Sequence, residues 1–486
     1  VSAHDELYID GAWTTPASPE LFEVISAGTG ERIGTVPVGQ RADIDRAVAA
    51  ARAAFDTGPW PRLDPAERGA AIGRLSKALQ ARSEELAVTI SQENGTPIGI
   101  GRLAQVLMST MTLDYYAGLG SDLTLTETRA GMLGPAVVRR RPVGVVGAIV
   151  AWNVPLYLSV LKLGPALLAG CTVVLKPAPD APLSLQLLAE AAAEAELPPG
   201  VLNVVPAERE VSEYLVTHPG VDKISFTGST AAGRRIAALC GERLRRVSLE
   251  LGGKGAALVL PDVDLDAALP GVLQYGFMLN GQACVAQTRI LAPRERYAEL
   301  VEALLARVAA LRVGDPLDEA TQLGPLAGAR QRERVEEYIR IGRDEGARLA
   351  FGGGRPAGLP GGGFYLDPCV FTDVDPGMRI AQEEIFGPVL TVIPYDTVDD
   401  AVAIANGTRY GLGGTIWTSD VAAGYALADR IEVGVLGVNM FMLDNTAPFG
   451  GVKDSGLGRE LGPEALAAYL EYQTVSLPAG AAVPGV

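Results

Sequence analysis

Between Val143 and Gly253 the chain alternates short unbroken apolar runs with helical stretches, and few folds accommodate that rhythm. Val145 to Trp152, Thr172 to Lys176, Val201 to Val205, Lys223 to Phe226 and Val247 to Leu251 read as strands. Leu156–Leu168, Leu183–Ala195 and Ala231–Leu239 read as helices between them. Apolar strands alternating with helices predict a parallel sheet covered on both faces. Ligands of such sheets bind at the carboxyl ends of the strands. The residues that end these strands are therefore the ones to inspect.

A second α/β unit follows Gly253: strand Ala256–Leu260, helix Leu265–Leu279, strand Thr288–Leu291, then helices Tyr297–Leu311 and Gln331–Glu345. The glycine-rich stretch Gly352–Gly363 reads as a surface loop. Ahead of the alternation come short strands between Leu7 and Val36, then helices at Ala42–Phe55, Pro65–Glu93 and Gly101–Tyr116. Asp64 before Pro65 is an N-cap followed by a first-turn proline. Residues 121–142 read as an exposed hairpin. The alternating run Tyr469–Leu477 reads as an edge strand able to pair with it, within the chain or across a subunit boundary. The expected fold class is α/β: two α/β units and a small β excursion.

Charge and cysteine usage narrow the function classes. A formal charge of -16 argues for a solvated surface and against binding nucleic acid or an anionic membrane. No apolar run reaches the length of a membrane span, and Val1 to Asp10 lacks a signal-peptide pattern. Cys171, Cys240, Cys284 and Cys369 lie far apart, which fits a reducing cytoplasm and neither a disulfide framework nor a zinc site. Only His4 and His218 are available to a histidine-based triad, dyad or metal site, so no metal is expected. An enzyme built on this chain would use a carboxylate or a lysine as its base.

The chemistry-bearing stretches each admit two readings. In Asn280-Gly281-Gln282-Ala283-Cys284 the Asn-Gly pair tolerates left-handed turns and breaks the preceding helix. Cys284 is then either a displayed nucleophile or a small buried hydrophobe. Phe226 to Gly233 joins a strand to a helix. Gly228 and Ser229 there make an anion site suited to a pyrophosphate, and Gly233 lets the helix pack on the sheet. The spacing departs from G-x-G-x-x-G, so an ordinary turn stands beside that reading. Lys176 ends one strand and could meet ribose or phosphate, or be a surface lysine. Asn153 could donate to a developing oxyanion. Glu250, inside an apolar strand, is costly unless used or paired, and burial would raise its pKa toward that of a base. Glu384 and Phe386 would suit a ribose and an aromatic ring, or form a helix terminus.

Together and in this order the stretches resemble the NAD(P)-dependent aldehyde dehydrogenases. The most specific are Leu249-Glu250-Leu251-Gly252-Gly253-Lys254, Gly281-Gln282-Ala283-Cys284, Glu384-Ile385-Phe386-Gly387-Pro388 and Pro448-Phe449-Gly450-Gly451-Val452-Lys453. The resemblance spans Leu7 to about Leu477. It implies a Rossmann-like cofactor-binding domain from 1–121 and 143–252, a catalytic domain from 253–450, and an oligomerisation β-arm from 122–142 and 466–480. It implies that Cys284 attacks the aldehyde, that Asn153 and the Cys284 N–H hold the oxyanion, and that Glu250 activates water to hydrolyse the thioester. Lys162 matches a position assigned to proton relay, with packing as the alternative. Trp152, Lys176, Gly228, Ser229, Gly233, Glu384 and Phe386 are implied cofactor contacts.

Departures from the family pattern matter as much. A glutamate that binds the adenosine hydroxyls in NAD-preferring relatives is replaced by Pro179, followed by Asp180. Asp180 could substitute and would disfavour NADP, so NAD is the expected cofactor and NADP the alternative. The usual proline before Trp152 is Ala151. The channel positions Val154, Tyr157, Leu161, Met278, Ala283, Val285, Met442 and Leu443 carry one phenol and no cation. They imply apolar aliphatic or aromatic aldehydes. The implied assembly is a homodimer or homotetramer. An acylating enzyme that hands the thioester to coenzyme A, and an inactive binding protein of the same fold, are the alternatives.

Overall fold

The computed structural model describes residues 5–483, so His4 lies outside the described residues. Two large sheets carry the architecture. The first has eight strands, in the order Ala12–Thr14, Leu7–Ile9, Leu202–Val204, Thr172–Lys176, Val145–Ile149, Lys223–Thr227, Arg246–Glu250 and Gly456–Leu457. Its inner strands run parallel, and the outer ones join antiparallel. The second has seven strands, ordered Arg348–Phe351, Cys369–Thr372, Val389–Tyr395, Arg289–Pro293, Ala256–Val259, Gly413–Trp417 and Val435–Val438. Only its outermost pair, Arg348–Phe351 with Cys369–Thr372, is antiparallel. The α/β class read from the alternation is what the chain adopts.

The helix Pro155–Ala169 is buried along its whole length. A helix apolar all round has no solvent face to offer and belongs inside. It leaves the strand Val145–Ile149 through a short bend, with Pro155 in its first turn. That strand is shorter than the sequence suggests: residues 150–153 leave the sheet and place Trp152 and Asn153 beyond its carboxyl end.

The expected helix Pro65–Glu93 is two helices, Pro65–Ala81 and Ser83–Asn94. Asp64 and Glu67 cap the first reciprocally, as Asp64 Oδ1 accepts the Glu67 N–H at 2.7 Å and Glu67 Oε2 the Asp64 N–H at 2.8 Å. The break falls at Arg82, whose guanidinium is drawn to Glu85, Glu190 and Glu194. The next helical stretch opens with three α-helical residues, Ile98–Ile100, and passes through a π-helix, Gly101–Leu107, into the α-helix Met108–Leu119.

A three-stranded sheet stands apart. Thr126–Ala130 pairs with Pro135–Pro142, and Leu470–Ser476 pairs antiparallel with Pro135–Pro142 inside the same chain. The hairpin starts later than expected, beyond Leu123-Thr124-Leu125.

Candidate active site

A cavity of about 670 Å³ opens at the carboxyl ends of the first sheet's strands. Residues from both large sheets and their loops line it, among them Trp152, Asn153, Gly228, Ser229, Cys284, Glu384 and Phe386. It is the crevice that an open parallel sheet offers a ligand.

Cys284 reaches the cavity on a locked loop. The helix Leu265–Gly276 ends before a single turn, Met278–Gly281. There Leu279, Asn280 and Gly281 take φ of 53°, 60° and 74°. The Asn280 amide is fully used: Nδ2 donates to Gly95 O at 2.8 Å and Pro325 O at 2.9 Å, and Oδ1 accepts the Gly324 N–H at 2.8 Å. At Gly281 a Cβ would stand 2.1 Å from the Gly387 carbonyl oxygen. Glycine is required here both by its conformation and by that approach. Gln282 Oε1 accepts the Ala327 N–H at 3.0 Å, pinning the next residue.

Asn153 Nδ2 donates to the Gln282 carbonyl at 2.9 Å. An amide nitrogen carries two hydrogens, so one stays available beside Cys284. The Asn153 carbonyl accepts from Asn94 Nδ2 at 3.0 Å and Gln105 Nε2 at 3.1 Å. Burial, and then the charges of Glu250 and Glu384, push the Cys284 thiol above its ordinary pKa.

Glu250 ends the strand Arg246–Glu250 and is buried. It stands behind the cavity wall, while Gly228, Leu251 and Gly252 line the cavity. Burial raises its carboxyl pKa well above the ordinary value, the charge of Glu460 adds to this, and Lys162 and Arg459 oppose it. Its Oε2 has no hydrogen-bond partner among the described residues. Lys162 is buried as well, donating to Thr227 Oγ1 at 2.7 Å and to Glu460 Oε1 at 2.5 Å.

Ser229 caps the helix Thr230–Glu242, accepting the Ala232 N–H at 3.3 Å. A Cβ at Gly233 would stand 2.4 Å from Leu251, so helix and sheet meet there backbone to side chain. Glu384 accepts the Gly253 N–H at 2.9 Å. Phe386, at φ 66°, meets Trp152 edge to face at 5.4 Å. Lys176 is buried and not among the lining residues. Burial lowers its pKa to about 8, against the charges of Asp180 and Glu208. Asp180 does line the cavity.

Tyr157, Leu161, Ala283 and Val285 are buried in one apolar cluster, with Val154, Met278, Leu443 and Cys284 packed against it. Met442 does not join them; it is 60% exposed. Its loop carries Phe441 inward instead. The sequence reading missed Glu460, Thr227, Asn94 and Gln105. One signal was available: polar and apolar residues alternate in Lys223–Thr227, where an unbroken apolar run is the norm.

The "Aldehyde dehydrogenase family" model matches residues 13–475. Geranial dehydrogenase of Castellaniella defragrans is 49% identical, covering 98% of this chain and 99% of its own. A Mycobacterium tuberculosis aldehyde dehydrogenase solved with NAD+ is 51% identical, with a TM-score of 0.97 over 99% of this chain and 100% of that one. Aldehyde dehydrogenase C of Pseudomonas syringae, solved as a cysteine-to-alanine mutant with NAD+ and octanal, is 42% identical, with a TM-score of 0.95 over 99% and 98%.

Proposed function

The chain belongs to the aldehyde dehydrogenase family, and from that premise we propose how its residues divide the work of oxidising an aldehyde to a carboxylic acid with NAD+ as oxidant. Cys284 attacks the aldehyde carbon as a thiolate. The free Asn153 N–H and the Cys284 backbone N–H hold the oxyanion. When bound, NAD+ supplies the hydride acceptor. Loss of hydride leaves a thioester on Cys284. Glu250 then takes a proton from water as the water oxygen bonds the thioester carbon, and the sulfur departs. Its Oε2 has no hydrogen-bond partner among the described residues to hold it behind the wall. Lys162 holds Glu460 and Thr227 in place behind it.

The cavity residues fit a dinucleotide. The Ser229-capped helix offers N–H groups to a pyrophosphate. Trp152 and Phe386 border the nicotinamide, and Glu384 accepts from its ribose. Asp180 meets the adenosine ribose, with Lys176 buried close by it, and a carboxylate there repels a 2′-phosphate, which favours NAD over NADP. Residues 1–121 and 143–252 form the cofactor-binding domain and 253–450 the catalytic domain. The substrate is an apolar aldehyde, as the cluster around Cys284 and the geranial and octanal of its relatives support. The β-arm, 122–142 with 466–480, joins subunits into a homodimer or homotetramer, and the enzyme works in the cytoplasm.

The observation that carries this reading is Cys284 and Asn153 meeting in one cavity with Glu384 and Phe386. The test is NADH absorbance with octanal, geranial, benzaldehyde and charged semialdehydes, with and without coenzyme A. Turnover of the apolar aldehydes without coenzyme A, lost in Cys284→Ser, is the expected result. Turnover of charged semialdehydes alone overturns the substrate class, and a strict need for coenzyme A overturns the Glu250 assignment.

A further inference from the structure

One continuous stretch, 324–338, bonds two separate walls of the cavity. Its first part holds the loop that carries the sulfur. The Gly324 N–H donates to Asn280 Oδ1 at 2.8 Å, the Pro325 carbonyl accepts from Asn280 Nδ2 at 2.9 Å, and the Ala327 N–H donates to Gln282 Oε1 at 3.0 Å. Its second part opens the helix Ala329–Asp344 and faces a different segment, 383–387. That segment lies between the short helix Arg379–Gln382 and the strand Val389–Tyr395. Outside regular structure its carbonyls must find partners elsewhere.

The helix supplies them. Gln331, Arg334 and Tyr338 are three and four positions apart, which puts them on one helix face. Tyr338 Oη donates to Glu383 Oε2 at 2.7 Å. Arg334 Nη2 donates to the Glu384 carbonyl at 2.7 Å, and its Nε to the Ile385 carbonyl at 3.3 Å. Gln331 Nε2 donates to the Phe386 carbonyl at 2.5 Å and to that of Ile385 at 3.4 Å. Glu383 to Phe386 are thus taken up in turn, and the Arg334 guanidinium is itself seated 5.3 Å from the centre of the Tyr338 ring. Phe386 stands at φ 66°, a conformation that a residue other than glycine keeps only where its surroundings impose it. The two walls also meet each other. A Cβ at Gly387 would stand 2.4 Å from Val335 of the same helix, and the Gly387 carbonyl abuts Gly281. The Glu384 carboxylate crosses to the Gly253 N–H at 2.9 Å.

We propose that Arg334 and Gln331 hold the segment 383–387 in register with Cys284, so that hydride transfer depends on them and thioester hydrolysis does not. The inference rests on the reading above that Glu384 and Phe386 border the nicotinamide and its ribose. In that step the C–H bond of the carbon attached to Cys284 breaks, its electron pair goes with the hydride to NAD+, and the oxyanion becomes the thioester carbonyl. Such a transfer is fast only when the reacting atoms are held about 3–3.5 Å apart. The sulfur side of that gap hangs on 324–327 and the cofactor side on 331–338, so one stretch of chain references both. Arg334 and Gln331 act through backbone carbonyls and are positioning residues. Both line the cavity as well, whereas Tyr338 does not, and an effect of Tyr338 therefore travels only through Glu383.

Two measurements test it, the first without cofactor. In the free enzyme, backbone hydrogen exchange across 383–387 should quicken by about threefold to tenfold in Arg334→Ala and in Gln331→Ala, the loss of one or two hydrogen bonds. Exchange across 279–284, held by Asn280 and Gln282, should stay parental. In a single turnover with NAD+ and octanal, the NADH burst should slow by about tenfold in Arg334→Ala, within the 10²-fold that a misplacement of about 1 Å costs. Deuterium at the aldehyde carbon should slow that burst further, while decay of the acyl group on Cys284 keeps its parental rate. Tyr338→Phe should move both readouts the same way, and Arg340→Ala, a side chain 70% exposed on the same helix, should move neither. Parental exchange and a parental burst in both alanine variants would overturn the proposal. A slowed burst with parental exchange would overturn it too, since Arg334 would then act by meeting the cofactor directly. Gln331→Ala removes one half-buried amide and decides the matter should Arg334→Ala fail to fold. Glu384→Gln with parental NAD+ affinity and a parental burst would instead refute the cofactor reading itself.

Discussion

Cys284 and Glu250, partners in the proposed chemistry, are also tied by charge. Glu250 raises the thiol pKa, so Glu250→Gln removes a negative neighbour and lowers it. At fixed pH iodoacetamide should alkylate Cys284 faster in that variant, while aldehyde turnover falls by about 10²-fold or more for want of the base. Measuring both in one preparation separates electrostatics from catalysis. Asn153→Ala should cost about 10²-fold in kcat, the usual loss of one oxyanion donor. Lys162 offers a stability test. Both partners of the Lys162–Glu460 pair are buried, with side chains 0% and 4% exposed. Lys162→Met strands a carboxylate and should cost about 3–5 kcal/mol in urea unfolding, whereas Lys162→Met with Glu460→Gln should recover much of that.

Among elements, the helix Leu183–Glu194 depends on a residue far away in sequence. Its N-terminal Leu183 and Ser184 N–H groups donate to the carboxylate of Glu93, fully buried at the end of another helix. Burial raises the Glu93 pKa from 4.5 to about 7, against those N–H donors. The folded state therefore holds this proton more tightly than the unfolded chain. The stabilisation is complete below pH 4.5 and is lost as pH rises through about 7. Melting curves across that window should show the parent losing up to about 3 kcal/mol more than Glu93→Gln. The loop before Cys284 is equally exacting: Gly281→Ala should lower both Tm and kcat, since its Cβ meets the Gly387 carbonyl. Asn280-Gly281 was legible in the sequence because both residues suit left-handed turns. Leu279, strained in the same way, was not, because its φ of 53° is imposed by what surrounds it. The break at Arg82 was hidden for a similar reason, since Glu190 and Glu194 come from another helix. The sheet alternation was plain locally, whereas the Lys162–Glu460 pair joins residues 298 positions apart.

At the scale of the molecule, the three-stranded sheet is too small to bury its own faces. Thr126–Ala130 is exposed throughout, Leu470–Ser476 nearly so, and Tyr472 is 67% exposed. Open edges of this kind invite pairing. Sedimentation of the whole chain should give a dimer or tetramer, and Tyr472→Arg with Leu133→Glu should shift it toward monomer. The two large sheets, in turn, touch where the chain crosses between them. A Cβ at Gly253 would lie 2.2 Å from the Cys284 carbonyl oxygen, and one at Gly252 would lie 2.4 Å from Glu384. The crossing between the two sheets thus runs directly beside Cys284, with no room for a side chain at either glycine. Any residue but glycine at 252 or 253 would part the sheets at that point, so this crossing sets their spacing where Cys284 faces the cavity.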